Sequence, residues 1–104
     1  MQYDTNIANQ IIDKYILIGI SYIAPNGELE SQQQLHGIVK STSEADGMIV
    51  DLCGVYKGEK LCLPPDTSSI TAAEPGTYKL SNTAEEIENP DYLCTYQVHK
   101  SGKE

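Results

Sequence analysis

Between Tyr15 and Tyr22 the chain alternates residue by residue, with Ile16, Ile18, Ile20 and Tyr22 at one parity, and Pro25-Asn26-Gly27 follows. Period-two alternation of β-branched and aromatic residues predicts a strand. Asn-Gly is a strong hairpin signal because both residues tolerate positive φ, so a second strand should return from Glu28. With Asn26 and Gly27 as the two central residues, Ile18 faces Leu35 and Ile16 faces Gly37. A three-residue Pro-Asn-Gly loop with a bulge moves that register by one, and both forms stay open at this point.

The returning strand carries Glu28, Glu30, Gln32, Gln34 and His36 at one parity and turns apolar at both parities by Ile38 and Val39. Gly37 sits at the change. A glycine inside a strand marks a bend or bulge, and a long bent second strand is how small barrels wrap a core. Further strands are expected at Gly47 to Val55, Lys60 to Leu63, Thr77 to Leu80 and Tyr92 to Val98. The prolines Pro64 and Pro65 stop the one before them, since proline cannot donate to a ladder. Asp66 to Glu74 reads as a loop with at most one helical turn started by Asp66, and Asn82 to Asp91 as an acidic irregular segment. Upstream, Ile7, Ala8, Ile11, Ile12 and Tyr15 recur at helical spacing behind Asp4 or Thr5, which predicts a short helix over 5–14.

One short helix followed by several short strands describes a mainly β domain spanning residues 1–104. The expected form is a small, strongly bent antiparallel barrel or roll, SH3-like or Sm-like, with an OB-like barrel as the alternative. The chain has no Phe and no Trp and seven Tyr. Ile, Leu and Val must therefore fill the core, with tyrosines at its margins where their hydroxyls find partners.

Charge narrows the partners. All seven basic residues are Lys, against fifteen Asp and Glu, for a net charge of −8. Such a chain repels polyanions and lacks the planar fork that grips phosphate. A barrel binding single-stranded RNA through its tyrosines is the alternative that this charge opposes, because such platforms need a positive groove. No apolar run is long enough to span a bilayer, and an odd count of three cysteines suits a reduced compartment, so a cytoplasmic protein is expected.

Cysteine gives the sharpest local expectation. With Lys57 and Gly58 at the centre of a two-residue turn, Cys53 lies opposite Cys62, where the pair could form a cross-strand disulfide. The histidines His36 and His99 belong to no metal-ligand spacing, and no cofactor is implied. No Gly-x-Ser-x-Gly elbow or phosphate loop is present. A small enzyme would need a spatial Cys-His pair, Cys94 with His99 or His36 being the first to inspect.

Two surfaces remain as binding candidates. One is the polar strand face Glu30, Gln32, Gln34 and His36. The other is the acidic run Glu85, Glu86, Glu88 and Asp91 beside Tyr92, which would steer a basic protein onto this chain. At Leu63-Pro64-Pro65-Asp66, Pro75-Gly76-Thr77-Tyr78-Lys79-Leu80 and Asn89-Pro90-Asp91-Tyr92-Leu93, over roughly residues 15–98, the chain resembles a group of small bacterial single-domain proteins. In that group a Gly-x-x-Tyr strand, here Gly19 to Tyr22, precedes these motifs. The resemblance implies a single compact bacterial domain and carries no activity and no site residue. The expected function is a non-catalytic acidic binding module, similar in class to immunity proteins that cover a basic enzyme with carboxylates. A strand edge pairing two copies is a further expectation.

Overall fold

Strand β1, Tyr15–Ile23, runs through the middle of the molecule, because its two parities are apolar on opposite sides. The computed structural model describes residues 2–80 and 83–99. Helix α1, Thr5–Gln10, precedes β1. After it come β2 (Leu29–Ser43), β3 (Gly47–Leu52), β4 (Lys60–Leu63), β5 (Thr71–Ala72), β6 (Thr77–Lys79), β7 (Glu86–Glu88) and β8 (Tyr92–His99). Six of these strands form one sheet in the order β4-β3-β2-β1-β8-β5, and β6 pairs with β7 separately.

The molecule is mainly β with one short helix, as expected, but the sheet is mixed and open. Strand β8 lies parallel to β1, Ile18 beside Cys94, and among the described residues β4 and β5 end the sheet without meeting. In place of the expected antiparallel barrel or roll, the sheet includes one parallel pair and, among the described residues, is not closed into a barrel. No described helix is long and apolar enough to cross a membrane.

The first hairpin takes the register in which Ile18 faces Leu35 and Ile16 faces Gly37. Its tip is built differently from a two-residue turn. The Gly27 N–H bonds the Ala24 carbonyl, so Pro25 and Asn26 are the central residues, and a second irregularity between Tyr22 and Ile23 restores the pairing. The two expectations are thus each half realised: a bulged three-residue tip, and the register of the shorter one.

Ile16, Ile18 and Ile20 turn to the larger core with Leu35, Val39, Val50, Leu52, Leu63 and Cys94, and Ile11 closes it from the helix side. Each fully buried isoleucine contributes about 1.5–3 kcal/mol. On the other face Leu17 meets Leu80 and Ile87, so the β6–β7 pair covers that end of the sheet. Tyr22, Tyr56, Tyr92 and Tyr96 pack half-buried around the larger core.

Helix α1 is capped by Asp4, whose carboxylate accepts from the N–H groups of Asn6 and Ile7. It ends before the expected residue 14. Asp13 turns to φ 67°, its N–H bonds the Val39 carbonyl, and the Val39 N–H bonds the Lys14 carbonyl. Pairing with β2 therefore replaces the last helical turn. Gly37 is not the bend: the irregularity in β2 lies between Val39 and Ser41. At Gly37 the backbone of Asp51 comes so near that an added Cβ would meet its carbonyl group and stand 2.9 Å from Val50 Cγ1. The glycine serves close approach of β3.

Cys53 and Cys62 are not opposed. Lys57 and Gly58 are the central pair of a turn closed by Glu59 N–H to Tyr56 carbonyl, but a 3-10 turn at Gly54–Tyr56 precedes it. Those extra residues shift the ladder so that Cys62 faces Ile49. Cys62 is exposed with its thiol toward the Asp46 carbonyl, Cys53 is half-buried, and Cys94 is buried, with its pKa pushed up by burial to about 12. A thiol reagent at neutral pH is therefore expected to label Cys62 first, and Cys94 at least ~100-fold more slowly, only as the chain opens. Peptide mapping after mild oxidation should find no bond between Cys53 and Cys62; recovery of that bridge in the folded protein would refute the register.

Candidate functional site

The polar parity of β2 divides into two environments. At its far end His36 is buried, 6% exposed, and so does not lie on the expected binding surface. Its Nδ1 lies 2.7 Å from the Tyr15 hydroxyl, and its Nε2 lies 3.2 Å from Glu85 Oε2. An ionised Glu85 can only accept, so Nε2 carries a proton, and in the neutral ring Nδ1 accepts from Tyr15.

Glu85 is held from several sides. The Thr83 hydroxyl donates to its Oε1 at 2.9 Å, and the Val55 N–H donates to Oε2 at 3.2 Å. Burial works against its charge, but these bonds, with the bond and charge of His36, outweigh it and hold the carboxyl below its ordinary value. Burial first, then the anionic forms of Cys53 and Glu85, raises the Tyr15 phenol. Gly54 makes room for the assembly: it sits at φ 70°, and a Cβ there would overlap the Glu85 carboxylate and stand 2.7 Å from His36 Nε2.

This chain of hydrogen bonds ties the β6–β7 pair to the sheet, because Glu85 immediately precedes β7 and its carbonyl accepts from Leu80. Both ring nitrogens are occupied, and the thiol partners expected for a Cys-His pair lie elsewhere. Cys94 points into the larger core, while His36 flanks Leu17 on the opposite face. Cys53 touches the His36 strand through its N–H, bonded to the His36 carbonyl at 2.9 Å. Among the described residues no cluster of His, Cys, Asp and Glu could hold a metal.

The acidic run is dispersed. Glu85 is turned inward, which corrects its place on an exposed docking face. Asp91 Oδ2 accepts from the Tyr15 N–H at 2.9 Å, and Tyr92 packs half-buried against the larger core. Glu86 and Glu88 remain exposed on the outer side of β7, Glu86 lying 4.0 Å from Lys79. The expected irregular segment from Asn82, whose first residue lies outside the described residues, contains β7 because Ile87 pairs with Tyr78 and fills the smaller core.

At its near end the polar parity of β2 is open. Gln32 and Gln34 line a shallow groove of about 200 Å³ with Gly19, Ser21 and Thr95, and the Gln32 amide donates to Ser21 at 3.3 Å. Glu30 is exposed just beyond.

The groove borders an unfinished edge. Strand β5 pairs with β8 only at Tyr92 and Leu93. The Ala73 N–H bonds the Asp91 carbonyl, which directs the peptide groups of odd-numbered β8 residues outward by the period of two. Thr95, Gln97 and His99 inherit that direction, and among the described residues no strand pairs with them on this outer side, opposite β1. The other edge of the sheet is guarded: β4 is four residues long, exposes Lys60 and stops at Pro64. Lysine and proline are usual protections against strand addition. Sequence reasoning missed Tyr15, Gly54 and Thr83 as partners of His36 and Glu85, and it expected a strand edge able to pair two copies without saying which strand supplies it. Comparison with protein-family models, with curated proteins and with solved structures found no match.

Proposed function

We propose that the chain is a non-catalytic protein-binding module that takes an extended, basic segment of its partner as an added strand along the outer edge of β8. The observation that carries this reading is the asymmetry of the two sheet edges among the described residues: one ends in a short strand with Lys60 and Pro64, the other leaves the outer side of Thr95–His99 open and unblunted. Strand addition draws affinity from main-chain hydrogen bonds and specificity from flanking side chains. The net charge of −8 supplies the selection for a basic partner and speeds encounter. Glu86 and Glu88, kept on a strand that the His36–Glu85 bond fixes to the sheet, add to that field.

An eight-residue peptide alternating lysine and valine, titrated at low salt, is expected to bind and to slow amide exchange at Thr95 and Gln97, with affinity falling as salt is added. The same peptide with glutamate for lysine should bind at least ~10-fold more weakly. Equal binding of the two, or protection elsewhere than β8, would remove the reading.

A further inference from the structure

The alternation along β8 is self-complementary. Its even positions Tyr92, Cys94 and Tyr96 pack with the larger core, and its odd position Leu93 packs with the smaller one. At the open end this parity gives Tyr96 and Val98 on one face and Thr95, Gln97 and His99 on the other. Val98 is 44% exposed, an apolar side chain at the end of a strand that pairs with β1 on one side and, among the described residues, with no strand on the other. No Asp, Glu, Lys or Arg occurs between Tyr92 and His99, so the strand itself sets no like charges against its own copy.

We propose that this edge pairs antiparallel with the same edge of a second copy of this chain, about a twofold axis at Gln97. The β5 stub fixes the register. It occupies the outer side of β8 at Leu93, so a register centred on Tyr96 would drive His99 of the second copy against β5. Centred on Gln97, the pairing uses Thr95 to His99 alone. Gln97 meets Gln97, Thr95 meets His99, and Tyr96 meets Val98, the residues of each pair coming one from each copy. The outward peptide groups of Thr95, Gln97 and His99 form about six inter-chain hydrogen bonds. Tyr96 and Val98, a non-hydrogen-bonded pair with closely spaced side chains, cover one another. The two sheets join into one.

This deepens the reading given under Proposed function, because the dimer and the basic segment use one edge and exclude each other: self-pairing is the resting state that a partner displaces. Salt separates the two events. Each copy carries −8, so screening strengthens self-association and weakens capture of a basic segment.

Sedimentation equilibrium of the full chain at low and moderate salt provides the test, with Gln97→Pro and Gln97→Glu as variants. The Gln97 N–H points outward, so proline removes a bond of the dimer and none of the monomer's ladder; circular dichroism checks that both variants keep the fold. Expected are a concentration-dependent dimer whose dissociation constant falls with salt, and a rise of that constant by at least ~10-fold in Gln97→Pro and, from opposed carboxylates, in Gln97→Glu. A monomer at every concentration, or a dimer that folded variants leave intact, overturns the proposal. The basic peptide reports separately: its binding to a monomeric wild type would leave the reading of the edge standing while removing the dimer, and a dimer that no basic peptide dissolves would do the reverse.

Discussion

Gly37→Ala is expected to lower stability by about 3–4 kcal/mol, a large part of the ~5–15 kcal/mol that holds a domain together. The methyl group would point at the backbone of Asp51 and crowd Val50 Cγ1 at 2.9 Å. Backbone cannot rotate aside, so β2 and β3 must separate where Gly37 pairs with Leu52. That junction lies beside Ile16, whose side chain is fully buried in the larger core, so the gap opens onto packed apolar surface and packing is lost on both sides of it. Urea denaturation followed by far-ultraviolet circular dichroism measures the loss. A change below ~1 kcal/mol would mean that the two strands do not approach as described. Gly19, in the same sheet, gives the contrast: a Cβ there would find only Thr95 Cγ2 at 3.6 Å, an ordinary contact, so Gly19→Ala should cost less than ~1 kcal/mol.

The same two glycines show which parts of this fold were legible. Alternation from Tyr15 to Tyr22 and the Asn-Gly signal led to β1 and β2, because parity and turn chemistry are local, but they left the register open: Ile18 meets Leu35 only because the irregularity between Tyr22 and Ile23 offsets the three-residue tip. The partner of β8 was not legible. Its own alternation states that Cys94 and Tyr96 face one way, but nothing in a period of two distinguishes a parallel neighbour from an antiparallel one, and β1 lies more than seventy residues upstream. The Cys53–Cys62 expectation failed for a local reason: the turn centre at Lys57 and Gly58 was right, yet the 3-10 turn at Gly54–Tyr56 added residues that no hydrophobic pattern marks. His36 was read as part of a polar binding surface because its parity mates Gln32 and Gln34 are polar. Burial was decided by Glu85, forty-nine positions on, whose acidic neighbours made it look like part of a surface run. A buried polar chain is assembled from residues that each look unremarkable alone, and only the third dimension brings Tyr15, His36, Gly54 and Glu85 together.

Gly54→Ala should cost about 2–4 kcal/mol, through a mechanism that differs from that at Gly37. Here the obstacle to a methyl group is the end of the Glu85 side chain, with its Cδ at 2.8 Å. That carboxylate can swing away, but in doing so it releases His36 Nε2 and the Val55 N–H together, while the alanine is held at a φ of 70° that suits glycine. Because both losses run through Glu85, Gly54→Ala and Glu85→Ala should not add. The double variant is expected to be more stable than the sum of the single losses by about 1 kcal/mol or more. Acid titration supplies an independent readout. The carboxyl of Glu85 is held below its ordinary value of 4.5 in the fold, so it contributes stability that is present above that value and lost as pH falls through the lowered one. Freed by Gly54→Ala, Glu85 should titrate near its ordinary value, and the variant's stability should fall less steeply below pH 4.5 than the wild type's, Asp66 remaining as a shared depressed carboxylate in both. Additive losses, or parallel acid profiles for the two proteins, would show that Gly54 acts through backbone strain alone and that Glu85 does not clasp His36.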